Sequence, residues 1–160
     1  MKSSQTAPVF FVGKKDRKKR IFQNYYYLNK WTIKDNYPLL LISDIIEKIG
    51  TKKVFTKLDL HWSYNNIQIK EGDKWKVMFT TPEGLFELTV IFFQLMNSLA
   101  MFQTIMNKIL NNLINTGKVV SFINNIIIGM EEEENHNEIV EEVVKRLAEE
   151  IKMKEEKVKL

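Results

Sequence analysis

The side chains able to do chemistry are few, and their kinds narrow the possibilities before any fold is considered. The chain of 160 residues contains no cysteine, which excludes disulfides and thiolate metal sites. Its two histidines, His61 and His136, are too few to hold zinc unaided. What remains is acid, amide and lysine chemistry. Asp59 stands near the end of an alternating run from Val54 to Leu60, a place where an aspartate often does no more than finish a strand. Asn124 and Asn125 interrupt an apolar stretch from Val119 to Ile128 and read as a turn between two strands. Lys14, Lys15 and Arg20 lie in a polar segment that reads as a hairpin loop, ordinarily just solvated charge. The acidic run Glu131–Glu134 reads as the solvated approach to a helix.

Composition places these residues on an ordinary globular domain. The hydrophobic fraction is 44% and the charged fraction 28%, values typical of folded proteins with a real core. The formal net charge is +4 and almost all positive charge is lysine, a balance that fits nucleic-acid contact without requiring it. No apolar run approaches the ~20 residues needed to span a bilayer. Met1 to Thr6 is polar and carries no signal-peptide core, so the expected location is intracellular, with no membrane partner.

The elements that must position these side chains alternate between strand and helix patterns. Val9–Val12 and Ile21–Tyr27 are expected as a strand pair around the basic loop. A short helix fits Ser43–Ile49, capped by Ser43 or Asp44 and stopped by Gly50. Val54–Leu60 is a strand. Ile67–Glu71 and Lys74–Thr80 flank Gly72-Asp73, which reads as a hairpin turn, and Leu85–Val90 reads as a further strand. Leu99, Phe102, Ile105, Met106, Ile109, Leu110 and Leu113 recur at helical spacing over Ser98–Thr116, with Gly117 as the stop. A last amphipathic helix covers Asn137–Leu147. The order implies an α+β fold.

Four ordered segments resemble the reverse transcriptase of gypsy-type LTR retrotransposon pol polyproteins. The first runs from Ala7-Pro8-Val9 through Lys14-Lys15-Asp16 and Arg20 to Tyr25 and Leu28-Asn29-Lys30. The second is Thr32-Ile33-Lys34 with Tyr37-Pro38-Leu39. The third is Lys57-Leu58-Asp59-Leu60, then Tyr64, Ile67, Ile69 and Lys70-Glu71-Gly72-Asp73-Lys74-Trp75-Lys76. The fourth is Phe93, Leu95, Asn97, Ala100, Phe102-Gln103 and Met106-Asn107. Ile151–Leu160 resembles the stretch after the palm helix. The resemblance spans essentially the whole chain. It implies a reverse-transcriptase palm with partial fingers, an antiparallel sheet packed on helices, with residues 1–50 mainly fingers and 51–160 mainly palm. Thumb, connection and ribonuclease H would lie outside the fragment.

The same resemblance implies a chemistry and shows where it fails. Polymerases of this family join a primer hydroxyl to an incoming nucleotide with Mg²⁺ held by three carboxylates. Asp59 matches the first acid and would be the metal ligand. The family's tyrosine-x-aspartate-aspartate hairpin reads Phe122-Ile123-Asn124-Asn125 here, so Asn124 and Asn125 stand where two acids should be. Two formal negative charges are missing from a site meant to face dications, and electrostatics of that kind dominates such catalysis. The implied nucleotide-binding residues are Lys14, Lys15, Arg20, Leu60, Tyr64, Phe93 and Gln94. Tyr64 would screen against a ribose 2′-hydroxyl. Gln94 replaces a glycine, and its side chain is expected to intrude where nucleotide and template approach. Leu99 replaces a proline. Asn24 and Tyr26 replace an aspartate and an arginine. Losses scattered over so many motif positions suggest drift, with Mg²⁺ binding and polymerisation both lost. The implied partners are template-primer and dNTP. A nucleic-acid-binding module without catalysis is the alternative, and self-association through an uncovered palm edge is expected.

Overall fold

A computed structural model of the chain describes residues 6–13, 17, 19–60, 63–133 and 135–153. Its elements in order are β1 (Ala7–Gly13), β2 (Lys19–Gln23), α1 (Tyr26–Trp31), α2 (Ile42–Ile49), β3 (Val54–Asp59), β4 (Met78–Thr81), β5 (Gly84–Glu87), α3 (Ser98–Ile109), α4 (Asn111–Asn115), β6 (Val119–Phe122), β7 (Asn125–Met130) and α5 (His136–Met153). Two 3₁₀ segments, Ser63–Asn66 and Glu71–Val77, lie between β3 and β4. Lys14, Lys15 and residues 154–160 fall outside the described residues.

Two sheets form. One has the order β3-β7-β6, antiparallel throughout. The other has the order β2-β1-β4-β5, with β1 and β4 parallel through Ala7↔Phe79 and Pro8↔Thr80. β4 and β5 thus extend the sheet that β1 and β2 begin. The first sheet backs onto helices. Phe102 and Met106 of α3, Leu110 after it, Ile126 and Ile128 of β7, and Val143 of α5 are each at most 1% exposed and share one core with Val119 and Leu147. Full burial of a side chain of that size is worth about 1.5–3 kcal/mol. Alternation explains the sheet's two faces: Ile126 and Ile128 point into the core, while Phe55, Lys57 and Asp59 of β3 point outward.

Several expected elements take other forms. Ser98–Thr116 is two helices, because the chain leaves helical geometry at Leu110 (φ −99°, ψ 8°). The asparagines at 111, 112 and 115 favour caps and turns over helix interiors, while Leu110 is held fully buried. Ser98 is not the cap. Its hydroxyl donates to the Phe92 carbonyl at 2.6 Å, and Asn97 holds the N-cap position. Gly117 does end the helical region, with φ 70°. Gly72-Asp73 is not a hairpin turn but part of the 3₁₀ segment; the buried Asp73 pairs there with Lys76 at 2.6 Å. Leu85–Val90 is a strand only to Glu87, with Val90 making a single bridge to Gln68. The return strand of the first hairpin stops at Gln23; the Asn24 side chain accepts from the Tyr26 N–H at 3.0 Å, and α1 begins at Tyr26 with Tyr25 at the N-cap. At α2 the cap is the Asp44 carboxylate, which accepts from the Leu41 N–H at 3.3 Å.

Candidate functional site

The site is built by two strands and a tight turn. β3 and β7 pair from Val54↔Met130 to Asp59↔Asn125, so Asp59 lies opposite Asn125 at the end of the ladder. β6 and β7 close a hairpin whose last pair is Phe122↔Asn125. The two turn residues are therefore Ile123 and Asn124, one position earlier than the sequence suggests. Ile123 has φ 54° while Asn124 does not have a positive φ. That combination is the II′ signature, whose twist matches flanking strands. The Asn124 carbonyl accepts from the Leu60 N–H at 2.8 Å, fastening the turn to the end of β3.

Side chains separated by 65 residues meet here. The Asn124 amide donates to Asp59 Oδ1 at 3.0 Å, and the Asn125 amide donates to Asn124 Oδ1 at 3.1 Å. The Asp59 carboxylate is exposed and the two amides are half-buried. An amide N–H thus sits against the oxygen that a cation would need. The cluster offers one carboxylate and two neutral carbonyl oxygens, and no group of three or more acidic or histidine side chains suited to a metal exists among the described residues. This donor set does not fit a pair of Mg²⁺ ions, which favour carboxylate oxygens in near-octahedral geometry.

The remaining predicted residues divide into two groups. Tyr64 packs tilted on Phe102 with ring centroids 5.2 Å apart, Tyr64 and Leu60 both pack partly buried against the core, and burial raises the Tyr64 phenol pKa. Arg20 and Phe93 lie together, with the guanidinium carbon 6.0 Å from the Phe93 ring centre, which also meets Phe22 edge-on. Gln94 reaches the backbone of the first hairpin. Its Oε1 accepts from the Gln23 N–H at 2.8 Å, so the side chain folds back on β2 and satisfies a backbone donor there.

Sequence reasoning missed the residues that splint the site. Asn29 donates to the Gln94 carbonyl at 2.9 Å and accepts from the Met96 N–H at 2.9 Å. Asn97 accepts from Asp35 N–H at 3.0 Å and donates to the Ile33 carbonyl at 2.9 Å. Gln103 contacts the turn itself, accepting from the Ile123 N–H at 2.7 Å. All three stand within the motif segments, which is the one signal that singled them out. Separately, Thr56 of β3 and the buried His136 of α5 share a 2.7 Å hydrogen bond that ties sheet to helix.

An antiparallel sheet backed by helices, with an acid at a strand end facing a two-residue hairpin, is the palm of a template-copying polymerase carrying part of its fingers. Comparison with known proteins narrows the class. The profile of the family described as reverse transcriptase (RNA-dependent DNA polymerase) matches residues 12–160, and the chain belongs to that family. The Transposon Tf2-7 and Tf2-3 polyproteins of Schizosaccharomyces pombe are 36% and 35% identical over 146 residues, 91% of this chain. The gypsy-type retrotransposon resemblance is borne out by these relatives. The chain spans 11% of each polyprotein's length. Among solved structures, a foamy viral protease-reverse transcriptase in complex with double-stranded DNA matches with a TM-score of 0.84 at 23% identity, over 95% of this chain and 27% of that one. The same viral protein with an RNA/DNA hybrid matches with a TM-score of 0.78 at 23% identity, over 93% of this chain and 20% of the other. These confirm the palm fold. No helix among the described residues is long and apolar enough to cross a membrane.

Proposed function

We propose that this chain is a reverse transcriptase fragment whose polymerase centre keeps its backbone arrangement and has lost its charge. The observation that carries the reading is the Asp59–Asn124–Asn125 cluster, in which amide hydrogens occupy the carboxylate face. Acids at the positions of Asp59, Asn124 and Asn125 would hold Mg²⁺, which would supply the charge that favours a primer alkoxide and neutralises a triphosphate. Here one carboxylate remains at the three acid positions. Asp59 would be the surviving ligand, and Leu60, Tyr64, Arg20, Phe93 and Gln94, with Lys14 and Lys15, would border the dNTP. Residues 1–50 would supply mainly fingers and 51–160 mainly palm. Primer extension on a primed RNA or DNA template, with Mg²⁺ or Mn²⁺, tests this. No extended product is expected, and template-dependent synthesis by the unaltered chain would overturn it.

A second reading, nucleic-acid binding without catalysis, is favoured by one feature. A cavity of about 530 Å³ is lined by Tyr26, Tyr27, Trp31, Trp75 and Lys76 among others. Tyr26, Tyr27 and Trp31 are exposed, and Lys30 lies 5.9 Å from the Trp31 ring centre. Exposed rings beside lysines suit stacked bases of a single strand. The foamy viral relatives named above were solved on nucleic acid. A titration with single-stranded oligonucleotide should weaken steeply as salt rises. Binding that is unchanged between low and high salt, or unaffected by Trp31→Ala, would remove this reading.

A further inference from the structure

Ile123 carries the strained backbone of the candidate centre. Its φ of 54° is left-handed, a conformation that β-branched residues avoid. Something must hold it there. Gln103 of α3, only 2% exposed, lies directly behind the turn. Its Oε1 accepts from the Ile123 N–H at 2.7 Å, and its Nε2 donates to the Ser121 carbonyl at 2.9 Å. The same Nε2 donates to Asn107 Oδ1 at 2.8 Å, and the Asn107 amide donates to the Tyr37 hydroxyl at 2.8 Å. One carboxamide therefore grips the backbone on both sides of Phe122, and a chain of two further side chains fixes the carboxamide. The task needs a donor and an acceptor on one short planar group, which glutamine has and methionine lacks.

We propose that Gln103 is a positioning residue: it latches the hairpin in its strained form so that residue 124 faces Asp59, with Asn107 and Tyr37 fixing the rotamer of the latch. The proposal rests on the reading of Asp59, Asn124 and Asn125 as a former metal site, because the position of residue 124 matters chemically only there. The latch holds backbone atoms, so it is indifferent to whether residue 124 is an acid or an amide. It accounts for a site that has lost its charges and kept its shape.

The test uses the full 160-residue chain. Without metal, amide exchange by NMR compares Ile123 with Val120 and Ile127 in the neighbouring strands. In Gln103→Met the Ile123 amide should exchange at least tenfold faster, while the two strand amides change less than threefold. Glu at this position keeps the oxygen that accepts from Ile123 and can donate to Ser121 only when protonated. Gln103→Glu should therefore protect Ile123 at low pH and lose that protection, relative to the strand amides, as pH rises. This pH profile carries the test if Gln103→Met does not fold. In the Asn124→Asp/Asn125→Asp background, Mn²⁺ affinity read by electron paramagnetic resonance should fall at least fivefold with Gln103→Met. It should recover when Ile123→Gly is added, because glycine adopts positive φ without strain. An Ile123 amide that stays protected in Gln103→Met, or a flat profile in Gln103→Glu, overturns the latch. A double revertant that binds no Mn²⁺ despite a protected Ile123 amide leaves the latch standing and removes the proposed function.

Discussion

Restoring both acids, Asn124→Asp with Asn125→Asp, should destabilise the metal-free protein and make it depend on Mg²⁺. Two losses add in the absence of metal. The 3.0 Å hydrogen bond from the Asn124 amide to Asp59 disappears, a bond to a charged acceptor of the kind worth about 1.5–3 kcal/mol when sheltered and less in the open. Like charges also gather, since Asp59 lies opposite residue 125 and touches residue 124. Two unit charges 4 Å apart repel by about 1 kcal/mol in water and about 4 at an effective dielectric of 20. The Asp59 carboxylate is exposed, so the lower end applies, and the total is about 2–3 kcal/mol. For a domain of this size that lowers the melting temperature by roughly 4–12 °C. Free Mg²⁺ at a hundred times its dissociation constant returns about 2.7 kcal/mol. Melting followed by circular dichroism in EDTA, then across an Mg²⁺ titration, reads both effects; calorimetry gives the affinity directly. Each single reversion should yield less than half of the double's metal response, because the ions share ligands. Synthesis should not return with binding, because the departures elsewhere in the motifs remain. A double variant that melts in EDTA like the parent chain, or a parent that gains as much from Mg²⁺ as the variant does, would refute the loss of charge at this cluster as the reason metal binding is gone.

Other expectations follow from packing, titration and exposed edges. Phe102→Ala removes a ring that is 1% exposed and should cost about 3–5 kcal/mol, read as a lowered urea midpoint. Gly117→Ala places a β-carbon at φ 70° in open space, so backbone strain alone should cost about 1 kcal/mol; an unchanged melt would contradict the assigned turn. Burial pushes the Tyr25 phenol well above its usual range, and its hydroxyl donates to the Val77 carbonyl at 3.0 Å. The folded state therefore holds that proton more tightly than the unfolded chain does, so this contribution is intact below about pH 10 and is lost as pH rises beyond it. Tyr25→Phe should accordingly show a shallower alkaline decline in melting temperature than the parent. Finally, β3 is an edge strand and its own Phe55 is half exposed, so the chain should self-associate with concentration. Phe55→Lys should shift size-exclusion profiles toward monomer, and a monodisperse parent at high concentration would refute this.

The legible parts of the fold were those where periodicity and chemistry agree. Val54–Leu60 alternates cleanly and became β3. Val119 to Ile128 became a hairpin, although the exchange of turn from Asn124-Asn125 to Ile123-Asn124 was hidden, because asparagine is the commoner residue at positive φ and isoleucine the rare one. Gly72-Asp73 misled for a related reason. It is a strong turn signal in isolation, but Lys70–Asp73 and Lys76–Asp73 contacts wind the segment into 3₁₀ geometry instead. The meeting of Asp59 with Asn124 was accessible through motif order alone. The use of Gln94 was not, because its partner is a backbone N–H 71 residues away, and no pattern in one dimension encodes such a contact. Gln103 was visible only as a motif letter; its role appears when a buried carboxamide is seen to satisfy both sides of a turn.

The strand order β3-β7-β6 has a consequence for how the chain reaches this state during synthesis. The middle strand, β7, is the last of the three to be made. While residues 60–118 emerge, β3 has no hydrogen-bonding neighbour in its sheet, and β6 must be complete before the turn can deliver β7 between them. Closing a separation of this length comes before any reward from pairing, which slows folding and prolongs exposure of unpaired strands. The parallel pairing of Ala7 with Phe79 imposes a second wait of the same kind on the other sheet. A nascent chain that has emerged from the ribosome only as far as residue 118 would hold α3 and α4 with no completed β3-β7-β6 sheet to pack against. Emergence of residue 130 provides the first opportunity for that sheet to form, so protease resistance should rise sharply between those two points.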